Sequence, residues 1–174
     1  MADQKGYTAL ICAASIGHAP VVALLLADER VDPNIGDEDG FTALMWAADK
    51  GHAPVVTLLL ADERVDPNIA SQYGGTALIC AAFKGHASVV TLLLADERVD
   101  PNMADQNGNT ALIVAAEKGH ASVVTLLLAD ERVDPNIADQ KGYTALMIAA
   151  IDEHASVVTL LLSLIHISEP TRPY

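Results

Sequence analysis

Basic residues are scarce: ten Lys and Arg stand against twenty-three Asp and Glu, a formal net charge of −13. Nucleic-acid binding is driven by cations that neutralise phosphates, and anionic membrane surfaces attract the same kind of segment. The balance argues against both partners. Long apolar runs are missing as well: nothing approaches the ~20 apolar residues that cross a bilayer, and nothing after Met1 resembles a secretory signal. The compartment expected by default is the cytosol or nucleus. Aromatics are few, with one Trp, two Phe and four Tyr, and there are only two cysteines, Cys12 and Cys80.

What the chain does have is repetition. The octapeptide Ala-Asp-Glu-Arg-Val-Asp-Pro-Asn occurs unchanged at 27–34, 61–68, 95–102 and 129–136, each copy starting 34 residues after the last. A fixed period of this size marks a solenoid, in which neighbouring units supply the core that no unit can build alone. The units are 1–34, 35–68, 69–102, 103–136 and a fifth, 137–162. Thr8 before an apolar run is a candidate N-cap for a first helix, and Gly17 suits the left-handed residue that closes it. Ala19-Pro20 opens a second helix, made apolar over most of its surface by Val21, Val22, Leu24, Leu25 and Leu26. Asp28 to Gly40 lacks helical periodicity and carries Pro33 and Asn34, so it reads as an extended loop ending in a turn. The expected unit is helix, tight turn, helix, long finger, and the fold is all-α. Cys12 and Cys80, equivalent positions two units apart, are too distant to bridge and are expected as free thiols within the packing.

The unit Gly-x-Thr-Ala-Leu, Ala-Ala, Gly-His, Val-Val-x-Leu-Leu-Leu resembles the ankyrin repeat, in five in-register copies over residues 1–162. The resemblance implies an ankyrin solenoid whose concave face, lined by finger tips and first-helix ends, binds partner proteins, and a Gly-His pair that stabilises the turn. Three features depart from the family pattern. Ala9-Leu10-Ile11 and its equivalents replace Pro-x-His, the loop after the second helix is one residue longer than in a ~33-residue repeat, and Glu153 stands where other copies have Gly17, Gly51, Gly85 and Gly119. A side chain forced into left-handed backbone costs roughly 1 kcal/mol, so the fifth repeat is expected to be the loosest.

Neither end reads as a cap with a polar outer face. Met1 aligns with Ile35, Ile69, Met103 and Ile137, placing it inside a finger, and residues 163–174 resemble a translated sequencing adapter. They are expected to form a non-native or disordered tail without a role, on a window of a longer protein. Uncapped ends of this kind favour self-association.

The copies differ mainly at five places, and four of these make two rows. Flanking the finger-tip glycine are Lys5 and Tyr7, Asp39 and Phe41, Tyr73 and Gly75, Asn107 and Asn109, Lys141 and Tyr143. Ending the first helix are Ser15 and Ile16, Asp49 and Lys50, Phe83 and Lys84, Glu117 and Lys118, Ile151 and Asp152. Tyr174 aside, every aromatic lies at a variable place, as does every lysine, so the invariant core is aliphatic and the aromatics are spare. Aromatics supply large contact area at low entropic cost. Candidate partner-binding residues are Lys5, Tyr7, Asp39, Phe41, Asp49, Lys50, Tyr73, Phe83, Lys84, Asn107, Asn109, Glu117, Lys118, Lys141 and Tyr143. Trp46 aligns with Cys12, Cys80, Val114 and Ile148 and is assigned to packing. Arg30 and its equivalents are expected to offset acidity within their own loops.

No catalytic, cofactor or metal site emerges. His18, His52, His86, His120 and His154 recur once per unit, about one helix spacing of ~8–10 Å apart, whereas zinc needs several ligand atoms within ~2.1 Å. Catalysis needs a convergent constellation that near-identical units do not offer. The expected function is a protein-interaction module. The alternatives are a regulatory or targeting segment of a larger enzyme or effector, and a spacer that binds nothing.

Overall fold

Short apolar runs with a threonine at the front and a glycine at the back should fold as short capped helices, and they do. The structure, a computed structural model, describes residues 6–168. The first helices of the five units are α1 (Ala9–Ser15), α3 (Ala43–Lys50), α5 (Ala77–Lys84), α7 (Ala111–Glu117) and α9 (Ala145–Ile151). The second helices are α2 (Ala19–Leu26), α4 (Ala53–Ala61), α6 (Ala87–Ala95), α8 (Ala121–Ala129) and α10 (Ala155–Ser168). Thr8, Thr42, Thr76, Thr110 and Thr144 each accept the N–H three residues on, at 3.2 to 3.4 Å. Each satisfies a backbone donor that the first turn leaves free. No strand forms among the described residues; two isolated bridges, Ala104 to Thr110 and Ala138 to Thr144, close the bases of finger turns.

First helices stack on first helices and second helices on second, giving two rows. Val56, Val90 and Val124, with Leu59, Leu93 and Leu127, are fully buried between them. The core is aliphatic throughout, so its cohesion comes from apolar area removed from water and close packing.

The octapeptide explains its own invariance. Arg64 pairs with the Asp62 carboxylate at 2.6 Å and reaches back to the Leu26 carbonyl at 2.7 Å and the Val31 carbonyl at 3.0 Å. Arg98 does the same to Leu60 and Val65, and Arg132 to Leu94 and Val99. Those carbonyls include the open last turn of the preceding second helix, so each guanidinium caps its neighbour's helix. The expectation of charge offset within one loop is therefore incomplete: the side chain also fastens repeat to repeat. The bonded guanidinium holds the Asp62, Asp96 and Asp130 carboxyls below the usual carboxylate range. Asn34 adds a second fastening, donating to the Arg64 carbonyl at 2.7 Å and accepting the Asp66 N–H at 2.8 Å; Asn68 and Asn102 repeat it.

Gly17, Gly51, Gly85 and Gly119 are left-handed, with φ between 71° and 78°. Among the described residues Glu153 is the one non-glycine with positive φ, at 60°. Replacing it removes that strain, so Glu153→Gly should raise the unfolding free energy by about 1 kcal/mol in a urea titration. Unchanged stability would contradict this. The last helix runs to Ser168, so residues 163–168, expected as part of a separate tail, prolong α10; residues 169–174 lie outside the described region.

Candidate recognition surface

The frame holds the variable residues by their backbones. His52 Nε2 lies 3.2 Å from the Ser15 carbonyl, His86 Nε2 2.9 Å from that of Asp49, His120 3.0 Å from that of Phe83 and His154 2.8 Å from that of Glu117. The histidine thus bonds across to the preceding repeat, where a role in its own turn was expected. Each acceptor is a variable helix-end residue. Finger tips use the same device: the backbone N–H of Gln72 donates to Asp39, that of Gln106 to Tyr73 and that of Gln140 to Asn107, at 2.9 to 3.0 Å. Main-chain carbonyls make these bonds, so the side chains at those positions can change without loosening the stack. Recurrence of histidine showed that it belonged to the frame; only the fold shows which carbonyl it meets.

Between the first two repeats the row is filled. Trp46 lies 5.9 Å from the Tyr7 ring centre and 5.6 Å from that of Phe41, and its indole N–H donates to Asp37 Oδ2 at 2.9 Å. All three rings are half-buried against the core. Trp46 packs, as expected from its alignment, but Tyr7 and Phe41 pack with it, so aromatics are less spare at this end than their variability implies. Lys50 Nζ sits 5.5 Å over the indole. Lys5 lies outside the described residues.

The middle of the array is different. Phe83 is 43 % exposed, with Lys84 Nζ 5.6 Å and Lys118 Nζ 4.8 Å from its ring centre. Asp49 carries Lys50 at 3.2 Å and Lys84 at 3.9 Å, while Glu117 pairs with Lys118 at 3.1 Å. Such exposed pairs add little stability; they fix where the ammonium groups stand. Tyr73 on the neighbouring finger is 51 % exposed, its hydroxyl 3.4 Å from Asp39 Oδ1. The Gln72 side-chain amide also donates to Asp39.

Between the fourth and fifth repeats the two rows enclose a groove of about 470 Å³. Asn107, Asn109, Lys141 and Tyr143 line it from the fingers, Glu117 and Asp152 from the helix ends, and Ile148 and Ile151 add apolar lining. The fold therefore brings five of the fifteen candidate residues to one cavity; Asp39, Asp49, Lys50, Tyr73, Phe83, Lys84 and Lys118 are arranged along the fingers and helix ends of the second to fourth repeats. Ile148, Ile151, Asp152, Asp139 and Gln140 also line this groove and were not among the candidates. Ile151 and Asp152 showed variability that could have flagged them, but Asp139 and Gln140 belong to the recurring frame.

Nucleophilic chemistry finds no support at Cys80. Its thiol is pushed up to about 12, chiefly by burial and then by the Asp49 charge, whereas a reactive cysteine needs its thiolate. Cys12 is also free but is exposed, against the expectation of packing. No helix among the described residues is long and apolar enough to cross a membrane.

The sequence matches the family of ankyrin repeats, described in three-copy blocks, over residues 1–71, 29–105, 61–139 and 78–171. Among solved structures it is similar to EF0377, an ankyrin repeat protein, with 30 % identity and a TM-score of 0.85. That match covers 92 % of this chain and 82 % of the other. A search of curated proteins finds no match. Ankyrin repeats are a general protein-interaction module, typically without catalysis. With the period, the paired-helix stack and the inter-repeat bonds in agreement, the chain belongs to the ankyrin-repeat family.

Proposed function

We propose that this chain binds a partner protein through the concave face formed by its finger tips and first-helix ends, as a non-catalytic adaptor. The observation that carries the reading is Phe83: a large ring 43 % exposed, flanked by two ammonium groups, whose backbone is pinned by His120. Pre-positioned aromatic surface binds with little ordering cost, and aromatics dominate binding hot spots. Lys50, Lys84 and Lys118 set the charge register along the row, with Asp49 and Glu117 as counterions.

Phe83→Ala should weaken capture of the partner by about tenfold or more while leaving the melting temperature nearly unmoved. Charge reversal of Lys50, Lys84 and Lys118 to Glu should strip the same proteins from a pull-down that the parent retains. An identical captured set from parent and variants would favour a spacer instead, and an equal loss of stability would place Phe83 among the packing residues.

A further inference from the structure

The groove between the fourth and fifth repeats has the same place in the frame as the Trp46 site, with the indole missing. Trp46 corresponds to Ile148, a much smaller side chain, 102 positions on by three 34-residue periods. Phe41, which packs on Trp46, corresponds to Tyr143; Tyr7, on its other side, corresponds to Asn109. Asp37 and Asp139 are also equivalent, and both use Oδ1 to accept two finger-turn N–H groups. Asp37 Oδ2 takes the indole N–H. Asp105 Oδ2 accepts from Asn109 Nδ2 at 3.3 Å. Asp139 Oδ2 has no hydrogen bond among the described residues, beside a cavity of about 470 Å³. A planar N–H donor is what the equivalent site at the other end holds from within the chain.

Charge decides which planar donor. Lys50, whose ammonium stands over the indole, corresponds to Asp152. A carboxylate facing the π-electrons of an indole is repelled, because the ring face is negative. A guanidinium reverses that sign: it is flat, always charged, stacks on an aromatic ring and donates in its plane to carboxylates. Glu117 is already paired with Lys118, so Asp139 and Asp152 are the carboxylates left to meet it, against the single ammonium, Lys141, that lines the same groove, with Tyr143 and Ile148 supplying contact for the ring plane and the aliphatic stem. We infer that this groove receives an arginine side chain of the partner protein, in the position that Trp46 occupies in the second repeat. This rests on the reading of the concave face as a protein-binding surface.

The test is an NMR titration of the full chain with Nα-acetyl-arginine N-methylamide, and with the lysine and norleucine analogues. Saturable shifts confined to Tyr143, Ile148, Ile151 and Asp152 are expected for arginine, several-fold weaker for lysine and absent for norleucine. Ile148→Trp should abolish them by filling the groove as Trp46 does, with a circular dichroism melt confirming that the variant folds. Asp152→Lys, at an exposed site, should weaken binding roughly fivefold or more. Equal binding of norleucine, shifts spread over the acidic loops, no shift at all, or full binding by Asp152→Lys would each overturn the inference. Failure here alongside loss of captured proteins on reversal of Lys50, Lys84 and Lys118 would remove the arginine site and leave the binding face standing. Failure of both would remove the face itself.

Discussion

Gly85→Ala should lower the unfolding free energy by about 2–3 kcal/mol, although it adds a single methyl group. Two effects combine. Gly85 has φ 76°, where any side chain costs roughly 1 kcal/mol. A Cβ there would also stand 2.8 Å from His120 Nδ1 and 2.9 Å from Cε1, closer than atoms pack. The ring cannot swing aside freely, because its Nε2 is bonded to the Phe83 carbonyl at 3.0 Å; moving it forfeits that bond, worth about 1 kcal/mol. Chemical denaturation of Gly85→Ala, His120→Ala and the double variant isolates the clash. The double variant should be more stable than the sum of the singles predicts, by about 1 kcal/mol. Strict additivity would mean that glycine is required for its backbone alone. The same displacement shifts the main chain under Phe83, so this substitution should weaken partner capture as well as folding.

Leu93→Ala is expected to cost more, about 3–4 kcal/mol, from lost burial and the cavity left behind. Leu93 is fully buried in α6, and α6 packs on α4, α5 and α8. In a stack held by nearest-neighbour contacts, such a defect weakens coupling on both sides of the third repeat. Trp46, the one tryptophan, reports on the second repeat. Its fluorescence and the helical circular dichroism should therefore coincide on unfolding of the parent and separate in the variant. Leu25, the equivalent residue in the first repeat, is only half-buried, and Leu25→Ala should cost visibly less. A loss below about 1 kcal/mol with coincident transitions would contradict a nearest-neighbour stack.

The period, the paired helices and their threonine caps are legible in the sequence because each rests on local chemistry repeated in register. Glu153 is legible for the same reason: the other copies show that its place needs left-handed backbone, and the structure puts it there. Bonds between repeats are not. Asn68 meets the Arg98 carbonyl 30 residues on, and His120 meets Phe83 37 residues back. In a periodic chain an invariant residue looks identical whether its partner lies in its own unit or the next. The arginines illustrate this, since their loop aspartates are visible two residues away while the carbonyls they cap are not.

The rows of variable residues could be read from differences among copies, but their individual roles could not. Variation at the twelfth place of the unit does not say that Trp46 closes a site which Ile148 leaves open. That distinction depends on Asp37 and Asp139, two frame residues that the sequence shows as equal. One accepts an indole N–H; the other faces an empty groove.

On this reading the frame stacks the repeats while one face is left for recognition. Amide hydrogen exchange of the chain, alone and saturated with the first protein it captures, tests this most directly. Added protection is predicted at the finger tips around 105–109 and 139–143 and at the first-helix ends around 83–84 and 117–118, with none along 87–95 and 121–129. Protection that instead fell on those second helices, sparing the finger tips, would contradict it.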